Sequence, residues 1–495
     1  MTPLHCAACA GNDEMVEFLL ENGADGNVVN EDGRTALHLA TQYGHRKCLK
    51  ILCSRRVETQ IVDNQGWTSL HVAVGTATDE STVPLLVKNK ADVNFQNPQT
   101  GNTALHLAVE WRRPRIILFL LEKGAAIDIL NNEGLTPLQL AANIDNCEGI
   151  SLLLQRCAHV EARSLSGPTA LQYASWKGHW IAFDLLVIGG ADINVWNRQG
   201  ETLLHEKARY ASSVSIACKL LEEGANIEAR TSQGYTPLQC AAISGNKTMF
   251  EFLLGRGAKA DIETAKGETL LHITPPANSD SLDILKIALD QGLNVNARST
   301  QGWTPLHQTV HMGTGSPDHA SDKTTEYVRL LLDHGASVNE FSTSAAAETP
   351  LHLAAKAPML RPSVVSLLIR NGSNINAVSG YGKTALHLAA ERGRESILRL
   401  LLDAGADLSV NIPPSRTANT NNDGNGESPI TAIDLAKKNP FGMLLFDEEG
   451  KLRPKPKQNK RDSTSTIIED LDSDFNDWEA AASTLVGSEN QYVAV

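Results

Sequence analysis

The chain of 495 residues lacks any run of 18 or more apolar residues, and its N-terminus lacks the basic-then-apolar order of a secretory signal. The eight cysteines are then expected in a reducing compartment, where structural disulfides do not persist. The sequence also lacks a G-x-S-x-G motif, an H-E-x-x-H motif and paired carboxylates in an active-site setting. These absences predict a soluble intracellular protein of the nucleus or cytoplasm, without enzymatic activity, cofactor or membrane attachment.

Positive charge is also scarce, because 44 Lys and Arg residues face 57 Asp and Glu residues. The net charge of −13 divides into −11 for residues 1–450 and −2 for residues 451–495. An acidic surface repels phosphate backbones, which argues against direct nucleic-acid binding by the first 450 residues.

A tetrapeptide of the form Thr-x-Leu-His, in some copies with glutamine last, returns about every 33 residues along most of the chain. Self-similarity at this period predicts a stacked array of repeats rather than a globule with one core. The twelve threonines that begin the copies are Thr2, Thr35, Thr68, Thr103, Thr136, Thr169, Thr202, Thr236, Thr269, Thr304, Thr349 and Thr384.

Each repeat predicts two short helices joined by tight turns. In residues 383–407, Thr384 is placed as a helix N-cap, Gly393 as a tight turn and Gly405 as a left-handed C-terminal residue. A second helix follows the Gly393 turn, because its apolar residues recur at three- and four-residue spacing. A glycine two residues before the threonine predicts a β-turn at ten of the eleven junctions, and Ala347 is the exception.

These features resemble the ankyrin repeat: Thr-Pro-Leu-His at the start of one helix, Leu-Leu in the next, then Gly-Ala-Asp and a turn glycine. The resemblance covers residues 1–410 and implies an all-α solenoid of about twelve repeats with β-turn fingers. It also implies a concave groove that binds partner proteins, with the chain itself a monomer.

Several segments depart from the repeat. The Thr-rich stretch from Thr76 to Thr82 predicts an enlarged turn, and Pro275-Pro276 must shorten the first helix of repeat nine. An insertion from Gly313 to Lys323 predicts a loop between the helices of repeat ten. Residues 411–429 predict an Asn/Gly-rich loop, and residues 430–450 a partial capping repeat.

The histidine of the tetrapeptide invites a metal or catalytic interpretation. Three repeats carry glutamine there (Gln139, Gln172 and Gln239), and glutamine is a poor metal ligand, so the position calls for a hydrogen-bonding side chain. The Cys6-x-x-Cys9 pair lacks a second cysteine pair, and the phosphate-loop-like residues 377–384 coincide with an ordinary repeat junction. No metal or nucleotide site is predicted.

The repeat leaves certain positions free for partner contacts, and aromatic residues are typical anchors of protein interfaces. In the ankyrin family, partners contact the finger tips and the end of the first helix. For the finger aromatics the alternative is packing on a neighbouring residue. The candidates are Tyr43, Trp111, Trp176 and Tyr210 after first helices, with Trp67, Tyr235 and Trp303 on fingers.

After Pro440 the repeat is lost, and residues 451–495 predict a disordered tail, basic and then acidic-aromatic. The basic part is interpreted either as a nuclear-import signal or as a solvated linker; its candidate residues are Lys455, Lys457, Lys460 and Arg461. The acidic part is interpreted either as a transcriptional activation segment or as a solubilising tail; its candidate residues are Leu471, Phe475 and Trp478.

Together these features predict a non-enzymatic scaffold that binds proteins. The sharper hypothesis is a nuclear transcription coregulator, whose array binds a DNA-bound factor while its tail recruits coactivators. Two alternatives remain open. One is a cytoplasmic adaptor or inhibitor; the other is a fragment of a larger ankyrin protein, which the abrupt start at Thr2 would explain.

Overall fold

The computed structural model describes residues 1–76, 81–165, 167–210, 214–276, 279–313, 320–357, 362–412 and 431–437. Within these ranges the chain forms twelve successive helix pairs and one further helix. The first six pairs are α1 (Pro3–Ala10) and α2 (Asp13–Glu21), α3 (Ala36–Gln42) and α4 (Arg46–Ser54), α5 (Ser69–Thr76) and α6 (Thr82–Lys88), α7 (Ala104–Glu110) and α8 (Pro114–Glu122), α9 (Pro137–Asn143) and α10 (Cys147–Gln155), and α11 (Ala170–Lys177) and α12 (Trp180–Ile188).

The second half continues the same alternation. Its helices are α13 (Leu203–Tyr210) and α14 (Ser215–Glu222), α15 (Pro237–Ser244) and α16 (Lys247–Gly255), α17 (Leu270–Ile273) and α18 (Ser279–Asp290), α19 (Pro305–Met312) and α20 (Ala320–Asp333), α21 (Pro350–Lys356) and α22 (Pro362–Arg370), α23 (Ala385–Glu391) and α24 (Glu395–Asp403), and finally α25 (Ala432–Lys437). The predicted all-α solenoid of about twelve repeats is confirmed.

The helices stack in two rows with one continuous apolar core between them. First helices pack on first helices along most of the array, as α1 does on α3, and second helices pack on second helices, as α2 does on α4. In most repeats the leucine and alanines of the first helix, such as Leu37 and Ala40, are fully buried with leucines of the second helix, such as Leu49 and Leu52. The small alanine side chains let neighbouring repeats approach closely. Because each repeat buries its apolar side chains only against adjacent repeats, its stability depends on those neighbours.

The capping threonine and the tetrapeptide histidine form a bridge to the next repeat. In repeat four, the Thr103 amide N–H donates to His106 Nδ1 (3.3 Å), and His106 Nε2 lies 3.1 Å from the carbonyl oxygen of Leu135. Because Nδ1 accepts, Nε2 carries the proton and donates to that carbonyl. The same contact to the next repeat, 29 to 41 residues along the chain, is made by His5, His38, His205, His272, His307 and His352.

Glutamine reproduces this bridge in two of the three repeats where it replaces histidine; in the third, Gln172 Nε2 has no hydrogen-bond partner among the described residues. Gln139 Oε1 accepts from the Thr136 amide N–H (2.8 Å), and its Nε2 donates to the carbonyl of Pro168 (3.1 Å). Gln239 Oε1 accepts from the Thr236 amide N–H, and its Nε2 donates to the carbonyl of Ile262, which corresponds to Ala162, a second acceptor of Gln139. The position therefore requires an acceptor toward its own cap and a donor toward the next repeat, which is the hydrogen-bonding role expected from the sequence.

Burial lowers the pKa of eight of these histidines, to about 4 in His71, His106 and His307. The other five are His38, His205, His272, His352 and His387. In each case loss of hydration disfavours the charged ring, and backbone hydrogen bonds offset this only in part. The rings are therefore neutral at pH 7 in the folded array.

This depressed pKa predicts acid sensitivity that glutamine removes. As pH falls below about 6.5, the unfolded chain binds protons that the folded array refuses until about pH 4, so stability is lost over that interval. We expect His106→Gln to lose about 1 kcal/mol less stability than wild type between pH 7.5 and pH 5.5. Urea unfolding followed by circular dichroism at both pH values measures this difference. The exposed His159→Gln variant is the control, and equal losses in wild type and His106→Gln would contradict the account.

Two constraints favour glycine in the fingers: the backbone there has positive φ, and the neighbouring finger leaves no room for a Cβ atom. All ten junction glycines have positive φ, as in Gly33 (75°), where an added Cβ would also lie 2.7 Å from the backbone nitrogen of Asn64 in the next finger. Ala347 adopts φ 40° in the same role. There the facing residue is Gly380, whose own added Cβ would collide with the carbonyl of Ala345. At this junction the glycine that permits close approach of the two fingers is therefore Gly380, in the facing finger.

Repeat nine is shortened as Pro275-Pro276 predicted, because α17 contains only four residues. Two side chains satisfy carbonyl groups of this helix and the proline after it: Thr274 Oγ1 donates to the Leu270 carbonyl (2.7 Å), and the buried Tyr327 hydroxyl donates to the Pro275 carbonyl (3.1 Å).

In repeat ten, the prediction of a loop from Gly313 to Lys323 is wrong at the C-terminal end of that range. Residues 320–323 form the first turn of α20.

The remaining sequence predictions concern segments that lie wholly or partly outside the described residues. Residues 77–80 of the Thr-rich stretch, most of the loop 411–429 and the tail 451–495 lie outside the described residues. Of the predicted capping repeat 430–450, the structure describes α25 and one residue before it, and α25 packs against α23. The domain boundaries at 410, 429 and 450 stay predictions.

Candidate protein-binding surface

The fingers and the ends of the first helices form one surface, here called the groove face. Within a repeat, the residue before the capping threonine faces the residue seven positions after that threonine. In repeat two, Arg34 Nη1 donates to Gln42 Oε1 (3.1 Å), and in repeat seven Arg209 pairs with Glu201 (3.1 Å). Lys356 and Glu348 form the same pair in repeat eleven, as do Lys383 and Glu391 in repeat twelve.

The three finger aromatics occupy this paired column and are half-buried. An added Cβ on Gly75 would lie 3.3 Å from the ring of Trp67, and the Trp303 ring lies 5.0 Å from the His311 ring, centroid to centroid. Tyr235 packs against the core. The backbone carbonyls of all three accept the histidine bridge from the preceding repeat. These contacts support the packing alternative for Trp67, Tyr235 and Trp303.

The four helix-end aromatics, by contrast, are exposed. Tyr43 and Trp111 stand alone in repeats two and four, whereas Trp176 (46% exposed) and Tyr210 (80% exposed) end the adjacent helices α11 and α13. The finger between those helices adds Trp196, which is 65% exposed and which sequence reasoning missed. Repeats six and seven thus hold three exposed aromatic residues on the groove face.

Repeat seven also breaks the repeat pattern at this place. Five residues after the capping threonine, nine repeats have alanine and two have threonine, but repeat seven has Lys207. One residue earlier, where most repeats carry an apolar side chain, repeat seven has Glu206. Positions that violate a scaffold rule without structural need are candidates for function. We call Trp176, Trp196, Glu206, Lys207 and Tyr210 the central cluster.

Hydrogen bonds tie the central cluster across the junction of repeats six and seven. Trp176 Nε1 donates to Glu206 Oε2 (2.6 Å), and Asn197 Nδ2 donates to Glu206 Oε1 (3.0 Å). Lys207 Nζ donates to the carbonyl of Ser175 (3.1 Å). Burial raises the pKa of Glu206, and the bonds from Trp176 and Asn197 oppose that rise. These bonds hold Trp176, Glu206 and Lys207 in place, beside the exposed rings of Trp196 and Tyr210.

Other kinds of site find no support in the described ranges. No group of three or more His, Cys, Asp or Glu residues there is arranged to hold a metal ion. None of the helices there is long and apolar enough to cross a membrane. The tail candidates Lys455, Lys457, Lys460, Arg461, Leu471, Phe475 and Trp478 lie outside the described residues.

Stacked helix pairs, turn fingers and an open groove face define the class of protein: an α-helical repeat solenoid. A family model described as ankyrin repeats (3 copies) matches residues 1–63, 56–131, 119–195, 171–265 and 318–412. The chain belongs to the ankyrin-repeat family, whose fold is a protein-interaction module. The unmatched residues 266–317 include the shortened helix α17.

Relatives are diverse. The chain is 28% identical over 464 residues to human transient receptor potential cation channel subfamily A member 1, covering 82% of this chain and 36% of the channel. It is 30% identical over 271 residues to mouse NF-kappa-B inhibitor delta, covering 49% of this chain and 78% of that protein. The solved ankyrin repeat domain of Bcl-3 is 28% identical, with a TM-score of 0.41, covering 45% of this chain and 98% of that domain. The chain thus spans about a third of the channel's length.

The two groups of aromatics should differ in their contribution to stability. Trp303→Ala removes a half-buried ring packed on the core, which we expect to cost about 2–3 kcal/mol. Trp176→Ala removes an exposed ring and one hydrogen bond, which we expect to cost about 1 kcal/mol or less. Urea unfolding of the two variants compares them directly. Equal costs, or a larger cost for Trp176→Ala, would show that the assignment of the two groups is wrong.

Proposed function

We propose that this chain binds a partner protein through the groove face of repeats six and seven. The observation that carries the proposal is the central cluster: three exposed aromatic residues beside a Glu-Lys pair that replaces scaffold residues. Aromatic residues anchor protein interfaces because they bury large areas at small entropic cost. The hydrogen bonds of Glu206 and Lys207 fix these two side chains and Trp176 before a partner binds, so these side chains lose little conformational entropy on binding.

The finer form of the proposal is a transcription coregulator. An array that binds one protein and a tail of acidic and aromatic residues together suit a molecule that brings two partners into contact. The groove face would bind a DNA-bound factor, and Leu471, Phe475 and Trp478 would engage a coactivator.

The second candidate, an inhibitory adaptor, is favoured by the name of the mouse relative, an NF-kappa-B inhibitor.

The groove claim is tested by comparing proteins captured from a cell extract by full-length variants. We expect Trp176→Ala/Tyr210→Ala to lose at least one partner that wild type captures, since both rings are predicted anchors. Tyr381→Ala, which changes an exposed tyrosine on a distant finger, is the control and should keep that partner. Identical capture by all three chains would place the interface elsewhere.

The coregulator claim is tested by fusing residues 462–495 to a heterologous DNA-binding domain and measuring reporter output. We expect output several-fold above the same fusion with Phe475→Ala/Trp478→Ala, because the aromatic residues supply the contact area that coactivator grooves bury. Output no higher than this control would favour the adaptor.

A further inference from the structure

Around the central cluster, four cations contact backbone carbonyls rather than carboxylates. Arg163 Nη1 donates to the carbonyl of Trp196 (3.0 Å), and Arg198 Nη2 to the carbonyl of Leu165 (2.6 Å). Arg230 Nη1 donates to the carbonyl of Glu263 (3.2 Å), as Lys207 does to that of Ser175. A carbonyl orients a guanidinium or ammonium group but leaves its full charge in place.

Of the four carboxylates beside the cluster, one is in an ion pair and the other three accept hydrogen bonds from neutral N–H groups. Glu201 pairs with Arg209, and Glu206 accepts from Trp176 and Asn197. Glu161 and Glu228 accept backbone N–H groups of the following finger. Across the fingers 161–168, 194–201 and 228–235 with α11, α13 and α15, six Lys and Arg residues face four Glu residues. This part of the groove face is thus +2 within residues 1–450, which together carry −11.

Such a surface fits an acidic peptide with aromatic anchors, and the chain contains one. Residues 467–479 carry six Asp and Glu residues and no Lys or Arg. Their apolar residues Ile468, Leu471, Phe475 and Trp478 are spaced by three, four and three, which places them on one face of a helix. We propose that this segment, here called the acidic segment, docks on the central cluster of its own chain.

The connection is long enough for docking within one molecule. The 30 residues from 438 to 467 reach up to about 100 Å when extended. Six first-helix steps separate α25 from α13, and at roughly 8–10 Å per step this distance is about 50–60 Å. A tethered segment acts at an effective concentration far above that of free peptide, so modest intrinsic affinity suffices.

Docking would make the tail and the groove face mutually exclusive. The acidic segment would cover the surface that the proposed partner needs, and partner binding would release the segment for its own contacts. The inference rests on the proposed function in that both assign binding to the central cluster. It adds that the resting chain is self-occupied through charge and aromatic complementarity.

The test uses a fluorescent synthetic peptide of residues 462–495 titrated with full-length chains in a polarisation assay. Wild type should bind weakly, because its own segment competes. Phe475→Ala/Trp478→Ala should bind at least tenfold more tightly, because its tail no longer docks. Adding Arg198→Gln and Lys207→Gln to that chain should weaken binding at least fivefold. Raising the salt concentration should do the same, since charge attraction is screened. Adding Tyr381→Ala instead should not change binding.

Two results would overturn the inference. Binding to neither chain would show that the groove face does not accept this segment. Equal binding to wild type and to Phe475→Ala/Trp478→Ala would show that the segment does not occupy the site within its own chain. A circular dichroism spectrum checks that each variant is folded. If the peptide fails while the partner is still lost in Trp176→Ala/Tyr210→Ala, the proposed function stands and only self-occupation is wrong.

Discussion

In nine of the twelve repeats a hydrogen-bonded bridge runs from the capping threonine, through histidine or glutamine, to a backbone carbonyl of the next finger, and it is the contact on which the register of the array depends. It satisfies the backbone amide of the capping threonine and fixes the next finger in the same step. In repeat four, one ring does both, between Thr103 and Leu135. Because the ring must be neutral to accept at Nδ1, this coupling needs the low dielectric that burial provides. Apolar stacking supplies area, while the bridge supplies register between repeats.

This division of roles leaves certain surface positions free of structural duties, and the proposed recognition surface lies among them. Positions that build the bridge, the core or the finger turn vary little in type along the array. The column at the end of the first helix varies freely: it is tyrosine at 43, tryptophan at 111 and tyrosine at 210. Repeat seven goes further and places Glu206 and Lys207 where the scaffold uses apolar and small residues. Repeat seven thus departs from the scaffold pattern at a surface that also carries the exposed rings of Trp176, Trp196 and Tyr210.

Most of the fold was predictable from the sequence, because the period fixes the helix pairs and the glycines fix the fingers. Pro275-Pro276 correctly predicted the short α17, since proline removes donors. The extra turn at 320–323 was missed because an insertion rich in turn residues hides a helix start. Trp196 and Glu206 belong to no sequence motif, and they stand out only when equivalent positions of the twelve repeats are compared. The polar contacts of Lys207 required coordinates, since they cross from one repeat to the next.

The coupling role of histidine is tested most directly by nitrogen-15 NMR of His106 in the folded chain. The account predicts a neutral ring protonated at Nε2 from pH 7 down to about pH 5, consistent with a pKa of about 4. A ring that titrates at or above 6.5, or that carries its proton on Nδ1 at neutral pH, would contradict the bridge and with it the explanation of how the repeats are joined.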